Sequence, residues 1–176
     1  GYSAKQICSG VFVARLPERF IVETDVLPRL ATVSPLHHLL TYQLDVDERM
    51  VTARMLGQQI RVQHRFNYGC TVLTGGAADA PSGTDKIAFA SADPGKSAAH
   101  LSPVKAGQPE LRRALDRAFA EPPEGGRNTL AVIVMHRGEI VAERYQAPVT
   151  LHTPMQGWSM NKSLMATFIG QQIDRA

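Results

Sequence analysis

An α+β fold is predicted for this chain on three observations. Leu111, Ala114, Leu115, Ala118 and Phe119 recur at the spacing that lines one face of a helix. The run Leu130 to Met135 is apolar throughout, turns at Arg137-Gly138 and returns as Glu139 to Tyr145, the pattern of a hairpin. Further upstream, Ile60, Val62, His64 and Phe66 alternate with Arg61, Gln63 and Arg65, which puts one strand face in a core and the other in water. Hairpins and helices in separate runs, rather than in strict βαβ alternation, predict an antiparallel sheet with helices packed against it.

Composition supports a water-soluble globular protein and narrows the function classes. Of 176 residues, 44% are hydrophobic, 20% charged and 6% aromatic. The excess of 19 Lys+Arg over 16 Asp+Glu is small, and the basic residues are scattered singly apart from Arg112-Arg113, so no nucleic-acid partner is indicated. The longest apolar runs fall far short of the roughly 20 residues that cross a bilayer, so these residues hold no membrane span.

Taken in order, residues 1–74 predict a small β-rich amino-terminal extension. Cys8 precedes the β-prone run Val11-Phe12-Val13, and Cys70 precedes Thr71-Val72-Leu73. Two neighbouring strands would bring the cysteines together as a disulfide, which implies an oxidising compartment; two buried free thiols are the alternative. Their wide separation argues against a metal site. Strands are expected from about residue 42 to 73, with a hairpin turn at Gly57-Gln58. His64 falls on the apolar face with no partner motif, which reads as a core or interface histidine. Residues 75–107 shift to Ala, Ser, Gly, Pro and Asp around the short island Ile87-Ala88-Phe89, and form a linker or surface segment that marks a boundary. A second unit, 108–176, opens with a helix near Pro109, a residue favoured at the first helical position, and this helix ends before Pro122-Pro123. The hairpin follows, its first strand apolar on both faces and therefore expected to be covered on both sides. The last helix, 159–176, should bury Met165, Phe168, Ile169 and Ile173; neither Gly, Asn nor Pro follows to stop it.

The chemistry concentrates in Gly157-Trp158-Ser159-Met160-Asn161-Lys162-Ser163. Ser-x-x-Lys is a weak motif taken alone, and Ser102-Pro103-Val104-Lys105 repeats it, but there Gly107 and Pro109 follow at once and no helix fixes the pair. At Ser159 the helical period begins just afterwards, so residues three apart share a face and the Lys162 amine can reach the Ser159 hydroxyl. Lys162 also stands in a first turn, where the helix dipole favours acids. A lysine so placed beside the apolar Trp158 is a candidate to accept a proton from serine. The plain alternative is Ser159 as a helix cap and Lys162 as a solvated surface residue.

From Leu130 through Ile173 the chain resembles the amino-terminal portion of the serine β-lactamase and penicillin-binding-protein superfamily, and within it the class C-related serine hydrolases that include carboxylesterases and 6-aminohexanoate-dimer hydrolases. The resemblance is carried by the hairpin Val132 to Tyr145 and by Trp158-Ser159-Met160-Asn161-Lys162-Ser163. Cys8 to Val13 and Tyr68 to Leu73 resemble the amino-terminal extension of some exported members. It implies a β-lactamase-like antiparallel sheet flanked by helices, incomplete in this chain, and a periplasmic or secreted location. Ser159 would be the acyl-forming nucleophile, Lys162 its base, and the Ser159 backbone N–H one half of an oxyanion hole. The substrate would be a small ester, amide or lactam, with no metal or organic cofactor. The family's later Tyr-x-Asn or Ser-x-Asn element and its Lys-Thr-Gly or His-x-Gly strand have no counterpart after Lys162; His136-Arg137-Gly138 has the second spelling but precedes the serine, in a turn. We therefore expect an amino-terminal segment that is inactive without a carboxyl-terminal remainder. A binding or cell-wall-associated module that keeps the fold without the chemistry is the competing expectation.

Overall fold

The computed structural model describes residues 1–75 and 106–175. The Ile87-Ala88-Phe89 island, Ser102-Pro103-Val104-Lys105 and most of the expected 75–107 linker lie outside them. The described residues form a mixed α+β structure with a four-stranded antiparallel sheet, a separate two-stranded sheet and helices on both.

Most of the first 33 residues are helical, Val11-Phe12-Val13 among them, which corrects the strand expected there. Helix α1 (Tyr2–Cys8) runs into a wider π-helical turn at Ser9–Val13, and the chain reverses at Arg15. Helix α2 (Glu18–Ile21), a second π-helical turn (Val22–Val26) and α3 (Leu27–Val33) follow. The physical reason lies in Ala4, Ile7, Cys8 and Val11, whose i, i+3, i+4, i+7 spacing gives a helix one apolar stripe. That stripe outweighs the local strand preference of three residues. Ala4, Ile7 and Cys8 are fully buried.

Beneath α1 lies the meander β1 (Thr41–Asp45), β2 (Met50–Met55), β3 (Gln58–Arg65) and β4 (Gly69–Leu73), paired in sequence order. Met55 pairs with Gln58, so the tight turn is Leu56-Gly57, one residue earlier than expected. Both turn residues have positive φ, 51° and 76°, as a two-residue hairpin turn demands. Val51 and Val62 sit opposite each other with no exposed surface. Each side chain so buried stabilises the fold by roughly 1.5–3 kcal/mol. Cys8 and Cys70 are bonded, joining the end of α1 to β4 and resolving the two expectations in favour of the disulfide. It links a helix to a strand rather than two strands. His64 packs its ring 6.0 Å from that of Phe12, in keeping with a core position, whereas Phe66 falls in the β3–β4 turn and is exposed.

Helix α4 (Pro109–Phe119) begins and ends where expected. Its Leu111 and Leu115 cover Val132, Val134 and Ala142 of the hairpin β5 (Ala131–His136) and β6 (Glu139–Tyr145). Arg144 holds Asp116 at 2.8 Å and lies over the Phe119 ring. A bulge at Val141, between partners Val134↔Ala142 and Met135↔Ile140, bends β6. The cover expected on both faces of β5 is present on one: Ile133 and Met135 point to solvent among the described residues, because α4 packs on the opposite face. The hairpin nonetheless joins the amino-terminal core. Leu130, Tyr145 and the buried Val149 pack with Ile7, Leu16 and Ile21, which fixes the segment leading to residue 158 against the first helices. No helix of the described residues is long and apolar enough to cross a membrane.

Candidate active site

After β6 the chain leaves the sheet, is pinned by Val149, and reaches a 3₁₀ turn at Trp158–Met160 that leads into α5 (Asn161–Asp174). Ser159 lies inside that turn. It does not cap the helix: Met160 is the cap residue and no side chain bonds to the free N–H groups there. The Ser159 hydroxyl instead accepts a hydrogen bond from Lys162 Nζ at 3.2 Å. The two predicted site residues thus lie within hydrogen-bond distance; Ser159 is not the helix cap, while Lys162 is exposed to solvent, as the plain alternative had it.

The residue before the serine is held in an unusual conformation. Trp158 has φ of +42°, a left-handed value that is an outlier for a bulky side chain. Its neighbour Gly157 leaves room that a side chain would take, since a Cβ there would stand 3.2 Å from Asn161 Oδ1. Trp158 is held from the amino-terminal helices. Tyr2 of α1 lies tilted against its ring, with centroids 6.4 Å apart, and the Arg29 guanidinium of α3 sits 5.3 Å over the ring centre. Arg29 is itself steadied by Asp25 at 2.6 Å, and this pairing holds its guanidinium above the ordinary arginine value. Two residues upstream of Trp158, Gln156 Nε2 donates to Oε1 of the buried Gln6 at 2.8 Å, and Gln6 Nε2 donates to Tyr2 Oη at 3.1 Å. Sequence reasoning missed Tyr2, Gln6 and Arg29. The helical spacing around Ile7 was a readable signal for α1, but contacts spanning 150 residues leave no local pattern.

Other expectations at the site are met differently. Trp158 is 56% exposed and the Ser159–Lys162 pair faces solvent, so the described residues do not supply the desolvation expected from Trp158. Helix α5 is present, but Met165, Phe168, Ile169 and Ile173, expected to be buried, are all more than half exposed, because no described element packs on that face. Of His136-Arg137-Gly138, His136 ends β5, paired with Glu139, and Arg137-Gly138 form the β5–β6 turn at positive φ, as a hairpin requires.

Comparison with known proteins gave no matching family model, no matching curated protein and no matching solved structure. The reading of this site rests on its own chemistry.

Proposed function

We propose that this chain carries the nucleophile and base of a serine hydrolase that works through an acyl-enzyme on a small ester or amide. The observation that supports this most directly is the 3.2 Å contact between Ser159 Oγ and Lys162 Nζ, directly after a strained Trp158. In the proposed reaction a neutral Lys162 amine takes the Ser159 proton as Oγ attacks the acyl carbon. Lys162 then gives that proton to the departing alcohol or amine, leaving the acyl group on Ser159. Water, deprotonated by the same amine, cleaves the ester and restores both residues. The Ser159 N–H would stabilise one side of the oxyanion.

The Ser159–Lys162 pair is exposed, whereas acyl transfer is favoured in a site that excludes water. The solvent-facing apolar stripe of α5 and the bare face of β5 favour a proposal that further residues of the same protein pack there, complete a β-lactamase-like sheet, and close the site. The Cys8–Cys70 bond favours an oxidising location, periplasmic or secreted. The exposure of the pair is also the observation that favours the second reading, a binding module without turnover. Ester hydrolysis by the complete protein separates the two. Ser159→Ala should abolish turnover, and Lys162→Ala should lower kcat about 10²- to 10⁴-fold, the usual contribution of a positioned base. A binder would show no turnover to lose, and equal affinity in all three forms.

A further inference from the structure

A cavity of about 550 Å³ opens beside Trp158, between the amino-terminal helices and the two stretches that flank the hairpin, residues 126–130 and 154–158. Its size falls within the range of sites that enclose small molecules. Neither Ser159 nor Lys162 lines it, so it is a place apart from the candidate nucleophile. Most of the wall is apolar, with Val13, Leu16, Phe20, Leu130, Met155 and Trp158 among its larger side chains.

Three charged residues reach this cavity: Asp25, Arg29 and Arg127. Two positive charges against one negative leave a single positive charge in excess. Arg29 spends its Nε on Asp25 Oδ1 at 2.6 Å, and its two terminal nitrogens have no hydrogen-bond partner among the described residues. Arg127 is anchored through Nη1, which donates to the Arg117 and Ala120 carbonyls at the end of α4, at 2.6 and 3.0 Å. Its Nε and Nη2 have no partner among the described residues. The Glu121 carboxylate is turned instead to the backbone, where its oxygens accept from the N–H groups of Arg127 and Asn128. The neutral amides on the wall are engaged: Gln156 donates to Gln6 Oε1, and Asn128 Nδ2 to the Thr24 carbonyl. The donors left open in this mainly apolar space are therefore guanidinium nitrogens.

We infer that this cavity binds a small monocarboxylate with an apolar body, its carboxylate held by the open nitrogens of Arg127 and Arg29. A guanidinium presents paired donors at the spacing of two carboxylate oxygens. One excess positive charge matches a monoanion, whereas a dianion such as a phosphate monoester would leave a negative charge uncompensated against apolar walls. The site goes beyond the hydrolase reading and does not depend on it. Arg29 also lies over the Trp158 ring, so the occupant touches what holds the turn before Ser159 without entering the Ser159–Lys162 pair.

The test measures dissociation constants by ligand-observed NMR titration of the complete protein, with three probes of one shape: 3-phenylpropanoate, 3-phenylpropan-1-ol and 3-phenylpropylammonium. None of them carries an ester or amide, so the result is the same whether or not Ser159 is a nucleophile. The carboxylate should bind roughly tenfold or more tightly than the alcohol, and the ammonium most weakly. Arg127→Gln should weaken the carboxylate by a similar factor and leave the alcohol unchanged, which reports that the walls are intact. Thr32→Trp, placed at an exposed position on the rim, should exclude both, and it locates the site should the arginine change disturb the fold. The proposal is overturned if the alcohol binds as tightly as the carboxylate, if none of the three binds, or if Thr32→Trp binds the carboxylate as the wild type does.

Discussion

Trp158 holds a left-handed backbone conformation that costs an L residue about 1–2 kcal/mol, against ring contacts with Tyr2 and Arg29 worth a comparable amount. Trp158→Gly removes both the strain and the contacts. We predict that unfolding by denaturant shifts by less than about 1 kcal/mol, while acylation of Ser159 slows tenfold or more because the turn is no longer clamped. A matching loss of stability and rate would instead make Trp158 a plain packing residue. Gly10 makes a sharper demand. A Cβ there would stand 2.4 Å from Ile21 Cγ1 and 2.6 Å from its Cδ1, so Gly10→Ala should destabilise the chain by about 1–3 kcal/mol. Adding Ile21→Ala removes the clashing atoms, and the double variant should lose less than the sum of the two single changes. The Ser159–Lys162 pairing was legible at this scale because three-residue spacing on a helix is a geometric rule. Its exposure was not, because burial depends on elements distant in sequence.

Between elements, the disulfide closes a separation of 62 residues and ties α1 to β4. On the loop-entropy scale its loss should cost about 4 kcal/mol, measured by denaturant unfolding of a Cys8→Ser, Cys70→Ser double variant. Because α1 also carries Tyr2 and Gln6, the same variant should loosen Trp158. On β3, burial first and then the Arg49 charge hold His64 below the ordinary imidazole value of 6.5. Its Nδ1 is buried without a hydrogen-bond partner among the described residues. The unfolded chain therefore takes up the proton first as pH falls. The contribution of His64 is complete above about pH 6.5 and declines below it. Stability measured from pH 7.5 to 5.5 should fall with acid, and His64→Gln should reduce that slope. Strands β2 to β4, helix α4 and the β5–β6 hairpin were readable from period and turn residues alone. The helices before residue 34 were masked by Val11-Phe12-Val13, where three β-prone residues interrupt a stripe that is helical only when Ala4, Ile7 and Cys8 are counted with them.

At the level of the whole molecule, one core joins the amino-terminal helices, the four-stranded sheet and the root of the hairpin, while α5 projects its apolar side chains into solvent. An apolar stripe of that kind ordinarily marks a surface meant to be covered. With nothing among the described residues packed on it, Ile169→Asp should change the stability of these residues by no more than about 0.5 kcal/mol, measured by denaturant unfolding. The fold class followed from hairpins and helices arriving in separate runs. The cavity beside Trp158 did not, since its walls come from two stretches far apart in sequence, one before residue 33 and one after residue 125. The most direct test of the central claim is to treat the complete protein with a fluorophosphonate and locate the adduct by peptide mass spectrometry. A single adduct on Ser159, lost in Ser159→Ala and formed at least a hundredfold more slowly in Lys162→Ala, is the predicted result. An adduct on another residue, or none on the complete protein, would contradict it.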